Sequence, residues 1–171
     1  MASDIKKLVC FAHGKESGPW GTKITHLAKI AQAAGYDIMS PDYSQSHDPK
    51  ARVQQLLSLS PQAQQLVLVG SSMGGYVSAM ACAALKPQAL FLMAPALYFP
   101  GWEEEPQNIP TLCSVVHGWN DDIVPVERGI RFAQKNRATL HLLDSGHTLN
   151  DQLPILSTLF ADLLTRIKHS L

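Results

Sequence analysis

The sequence predicts an α/β fold, a three-layer α/β/α sandwich around a mostly parallel sheet of about six strands. Short runs rich in Val, Leu and Ile alternate along the chain with longer stretches whose apolar residues recur at helical spacing. The short runs are apolar at nearly every position, not at every second one, which suits strands covered on both faces.

The candidate strands are residues 7–12, 36–40, 66–70, 89–93, 112–117 and 139–143. Between the first two, Ile24, Leu27, Ala28, Ala31 and Ala34 fall at helical spacing, and Gly35 supplies a C-terminal stop. A second helix is expected over about 48–59. LVLV ahead of Gly70 reads as a strand, and YVSAMACAAL beyond it as a helix that starts near Met73. The last segment carries Leu156, Leu159, Phe160, Leu163, Leu164 and Ile167 on one stripe. Pro154 stands near its start, where a missing N–H does least harm.

A chain of 171 residues is expected to form one domain over 1–171, able to bury roughly 70% of its unfolded surface without disulfides or metals. Its 14 basic and 14 acidic residues balance, so no net field favours nucleic acid or an anionic membrane. The expected partner is a small molecule, and the oligomeric state is left open. Cys10, Cys82 and Cys113 lie in separate apolar runs, which suits buried reduced thiols and a cytoplasmic location. The N-terminal MASDIKKLVCFAHG has too short an apolar stretch, and no small-residue cleavage site, for a signal peptide. Glu103 to Glu105, with no His or Cys beside them, read as a solvated loop.

Residues 66–85 are uncharged throughout and contain Gly70-Ser71-Ser72-Met73-Gly74, which fits both G-x-x-x-G and G-x-S-x-G. A membrane helix is disfavoured: Gln62, Gln64 and Gln65 precede the stretch and Lys86-Pro87 follows it, so neither flank is basic enough. The second motif has a chemical logic. A serine hydroxyl becomes a useful nucleophile only when a tight turn presents it to a base and to a carbonyl, with neighbours too small to obstruct either. Ser72 is that serine, and the helix that begins behind it aims unpaired N–H groups at the point where negative charge would develop.

A serine needs a base, and the base an acid that fixes its tautomer. VVHGWNDDIVP, residues 115–125, is a strand that runs into a turn bearing Asp121 and Asp122; LHLLDSGHTLND, residues 140–151, is a strand whose loop presents His147. Both partners follow strand ends, where ligands bind in open α/β sheets. His141 lies inside a strand and His169 at the C-terminus, so His147 is the preferred base. His13 and His117, each before a glycine, are expected to shape their loops. The seven histidines form no metal-ligand spacing. No metal and no cofactor are expected.

FAHGK at 11–15, GSSMGG at 70–75, HGWNDDIVP at 117–125 and SGH at 145–147 together resemble the α/β-hydrolase superfamily, and within it the small single-domain serine esterases. The resemblance covers nearly the whole chain. It implies Ser72 as nucleophile, His147 as general base and Asp121, selected over Asp122 by His-Gly-x-x-Asp-x-x-Val-Pro, as the acid. It implies an oxyanion hole from the backbone N–H groups of Met73 and Lys15. The two antiparallel strands that open larger members are missing, which implies a smaller, wholly parallel sheet. Residues 94–110 leave hardly room for a lid, and Tyr98, Phe99 and Trp102 are candidates to line an acyl pocket. The implied activity is hydrolysis of small, short-acyl carboxylic esters through an acyl-enzyme. A thioesterase with the same residues is the enzymatic alternative, and a non-catalytic binding module on the same fold the other.

Overall fold

A computed structural model describes residues 4–167. Six strands form one sheet: β1 (Lys7–Ala12), β2 (Asp37–Met39), β3 (Gln65–Ser71), β4 (Ala89–Met93), β5 (Leu112–Gly118) and β6 (Thr139–Leu143). Their order is β2-β1-β3-β4-β5-β6 and every neighbouring pair is parallel. The central strands are buried along nearly their whole length, which is why they read as unbroken apolar runs. β2 is shorter than expected. Tyr36 packs into the core just before it, and the chain leaves the sheet after Met39.

Alternate residues of each strand face opposite layers. Leu8, Cys10, Leu68, Leu90 and Val115 point to the side covered by α2 (Pro49–Leu59), α3 (Met73–Leu85) and α4 (Val126–Asn136). Val9, Phe11, Val69, Phe91 and Val116 point to the side covered by α1 (Thr22–Ala33) and α5 (Leu153–Thr165). α1 shows its stripe of Ile24, Leu27, Ala28 and Ala31, and Gly35 follows with φ +86°. α2 starts one residue later than expected because Asp48 is its N-cap, accepting a hydrogen bond from the Lys50 N–H at 3.1 Å. Pro154 sits in the first turn of α5. No helix of the described residues is long and apolar enough to cross a membrane. Cys10, Cys82 and Cys113 are buried free thiols.

No helix is expected from the sequence over residues 126–136, where α4 stands. Its buried positions are Val126, Gly129, Phe132 and Ala133, and the glycine, which reads as a helix breaker, gives the stripe its weak point. A side chain at 129 would be driven into the ring of His117.

The strand order reverses between β1 and β3, since β1 leads outward to β2 and back across to β3. Ligands bind at such a switch point, beyond the carboxyl ends of the strands. The loops that leave β1 and β3 meet there: a Cβ at Gly14 would lie 3.5 Å from the Cβ of Ser72.

Candidate active site

Ser72 stands between β3 and α3 with φ 54° and ψ −117°, a conformation an L-residue adopts only under constraint and at a cost of roughly 1–3 kcal/mol. The constraint is visible on both sides of the residue. Its N–H donates to the Met93 carbonyl at 3.0 Å, and its own carbonyl accepts from the N–H groups of Gly75 and Ala96, each at 2.9 Å. The flanking glycines are steric requirements: a Cβ on Gly70 would collide with the Gly74 carbonyl, and one on Gly74 with the Ala12 carbonyl of β1. The turn thus lifts the Ser72 hydroxyl out of the sheet.

His147, on the loop after β6, reaches the hydroxyl with Nε2 at 3.0 Å, and its Nδ1 lies 2.8 Å from Oδ2 of Asp121. With Nδ1 protonated, the imidazole donates to the carboxylate and accepts from the serine. Asp121 is the aspartate brought into this series; Asp122 is exposed beside it. The Asp121 carboxylate is itself wholly buried. Burial pushes its pKa up, but hydrogen bonds from His147 and from the N–H groups of Val124 (2.8 Å) and Ile123 (2.9 Å) outweigh that, so the net shift is below the ordinary value of 3.8.

A second histidine touches the same carboxylate. His117, fully buried at the end of β5, has Nε2 3.1 Å from Oδ2 of Asp121 and 3.0 Å from the Val124 carbonyl, while its Nδ1 has no partner among the described residues. It closes the turn between β5 and α4, consistent with a loop-shaping histidine. His13 has the same kind of role in the loop after β1. Its Nε2 accepts from the Tyr43 N–H at 2.9 Å, so Nδ1 carries the proton and donates to the Gly14 carbonyl at 2.8 Å. Burial holds its pKa below the usual histidine value. His141 stays within β6, away from the serine, and His169 lies outside the described residues.

The cleft over Ser72 has a volume of about 640 Å³ and is mostly apolar, with Phe99, Trp102 and Ile123 among its walls. Lys15 and Met73 line it too. Met73 opens α3, so its N–H has no acceptor within the helix. Among the described residues neither this N–H nor that of Lys15 finds an acceptor.

Tyr98 does not line the cleft, contrary to expectation. It is buried in the core on the α3 and α4 side, its hydroxyl donates to Glu105 at 3.0 Å, and the Arg131 guanidinium lies 3.8 Å over its ring. Glu105 is no free loop residue either: it pairs with Arg131 at 3.1 Å and Lys135 at 3.4 Å, both on α4. Between β4 and β5, the chain folds back at Phe99 and Trp102 without forming a helix.

Sequence reasoning missed Arg52. This α2 side chain is fully buried, yet among the described residues no carboxylate lies within ion-pair distance of it. Its acceptors are carbonyls: Ser46 at 2.7 Å, Gly14 at 3.0 Å, and His13 and Lys15 at 3.3 Å each. Only the tertiary fold brings position 52 to the loop at 13–15, and an arginine in the first turn of a helix carries no signal of that.

UPF0227, described as an uncharacterised protein family, matches residues 8–105. A protein from Xanthomonas campestris pv. campestris, ascribed to the α/β-hydrolase superfamily, is 33% identical, with a TM-score of 0.84 over 94% of this chain and 99% of that one. The chain belongs to UPF0227 and to the α/β-hydrolase superfamily. Two further likenesses place this UPF0227 protein among compact members of the fold. A second X. campestris protein, described as an α/β serine hydrolase without a lid, is 20% identical, with a TM-score of 0.67 over 98% of this chain and 87% of that one. Est1E from Butyrivibrio proteoclasticus is 16% identical, with a TM-score of 0.79 over 95% and 88%. No curated protein sequence matches the UPF0227 chain significantly.

Proposed function

We propose that this protein is a serine carboxylesterase that hydrolyses small, short-acyl esters through an acyl-enzyme. The observation that carries the reading is the unbroken series from buried Asp121 through His147 to Ser72, ending at the strained turn on the floor of the cleft. Ser72 attacks the ester carbonyl while His147 takes its proton and Asp121 stabilises the resulting imidazolium. The N–H groups of Met73 and Lys15 receive the oxyanion. His147 then returns the proton to the departing alcohol, and water repeats the sequence on the acyl-Ser72 ester.

The cleft supports the substrate class. Phe99, Trp102 and Ile123 offer apolar walls, but the segment after β4 forms no covering helix. A buried methylene is worth about 0.8 kcal/mol only where a wall receives it. Est1E has been seen with ferulic acid bound, an aromatic acid of a size this cleft could also take.

The test is kcat/KM across p-nitrophenyl esters from acetate to palmitate below their micellar concentrations, with matched oxygen esters and thioesters alongside. Acetate to hexanoate are expected to be preferred, with kcat/KM flat or falling beyond roughly eight carbons because the extra methylenes remain in water. A continued rise to palmitate contradicts the short-cleft reading, and thioesters turned over far faster than their oxygen counterparts point to a thioesterase.

A further inference from the structure

Arg52 is a full charge held wholly inside the protein with carbonyl oxygens as its partners. Asp42 and Glu16 are near enough to favour its charged form, but neither pairs with it. Among the described residues the guanidinium has no direct ion pair, and it lies directly behind the loop that borders Ser72. Arginine stays protonated in proteins, and its planar fork can engage several acceptors together.

The acceptors are consecutive. Arg52 draws the carbonyls of His13, Gly14 and Lys15 to one side of the loop. None of the described peptides is cis, and in a trans peptide the C=O of one residue points opposite to the N–H of the next. Holding the Gly14 carbonyl toward Arg52 therefore turns the Lys15 N–H away from it. That carbonyl also accepts from His13 Nδ1, so its direction is set by two buried donors. A cation on the carbonyl end of a peptide polarises it further and makes its N–H a stronger donor.

We propose that Arg52 is a positioning residue for the oxyanion hole: it aims the Lys15 N–H at the substrate oxygen and projects its charge through that peptide onto the developing oxyanion. The inference rests on the serine-esterase reading. Arg52 does not line the cleft, and the charge it acts on develops only in the tetrahedral state, so its effect falls on kcat rather than on ground-state binding.

The test compares wild type, Arg52→Gln and Arg52→Lys, with circular dichroism confirming the fold of each. The readouts are kcat and KM for a short-acyl ester, and the inhibition constant of a trifluoromethyl ketone, whose adduct with the serine bears an oxyanion. Arg52→Gln is expected to lose about 10²-fold in kcat, the scale of one oxyanion donor, with KM within about twofold and ketone affinity falling in parallel with kcat. Arg52→Lys keeps the charge but not the fork, and is expected to recover part of both. A folded Arg52→Gln with kcat and ketone affinity within twofold of wild type overturns the proposal, as does a loss confined to KM. Should Arg52→Gln fail to fold, Arg52→Lys carries the same comparison, and wild-type values in it overturn the proposal. Ester turnover by the wild type separates the two readings: without it the esterase reading itself has failed, whereas with it and unchanged Arg52 variants only this inference has.

Discussion

On the one side, Ser72, His147 and Asp121 meet through side chains carried on the loops after β3, β6 and β5. On the other, Lys15 and Met73 offer backbone N–H groups, and the residues that hold the Lys15 loop, His13 and Arg52, are buried behind it. The first side is specified by residue type. The second is specified by backbone direction, and many side chains at position 15 could satisfy it. Substitutions on the two sides should therefore differ in size and in which substitution does the damage.

The largest difference is expected at the acid. Asp121→Asn forces the wrong imidazole tautomer and should lower kcat by about 10⁴-fold with the fold intact. Asp122→Asn, at the exposed neighbour, should change kcat by less than about threefold. Steady-state kinetics on both variants check this, and reversed effects would move the acid to 122. On the backbone side Lys15→Pro, which deletes the N–H, should cost about 10²-fold in kcat. A Lys15→Pro loss as large as that of Asp121→Asn, in a protein folded by circular dichroism, would erase the distinction between the two sides.

The smallest effect is on stability. Asp121 has a depressed pKa in the folded state, so the stabilisation by its ionised form is complete above the unfolded value of 3.8 and is lost as pH falls through the lower folded value. The gap between the urea midpoints of wild type and Asp121→Asn should narrow as pH falls below about 4. Titrating groups that do not touch Asp121, buried His13 included, cancel in the difference. A gap that narrows already between pH 7 and 5 would mean that the folded structure does not hold the carboxylate ionised as the hydrogen bonds require.

The same contrast governs what the sequence makes legible. The fold is readable because burial on both faces leaves strands such as Val67 to Val69 with no polar position, and because Gly70 and Gly74 mark a turn that nothing larger can make. Asp121 is readable because the spacing to Val124 and Pro125 belongs to the turn that presents it. Glu105 reads as solvated and Tyr98 as a cleft residue because their cationic partners, Arg131 and Lys135, stand on α4 more than twenty residues further along the chain. Arg52 is illegible for another reason: its partners are carbonyls, and every residue has one.

On the proposed mechanism the fold activates one particular hydroxyl, that of Ser72. Labelling the native protein with a fluorophosphonate probe, followed by peptide mapping of the adduct, tests it most directly, because reaction requires an activated nucleophile, a competent base and an accessible cleft together. A single adduct at Ser72 is expected, abolished in Ser72→Ala while circular dichroism is unchanged. An adduct at Ser71, or wild-type protein that folds and stays unlabelled, would contradict it.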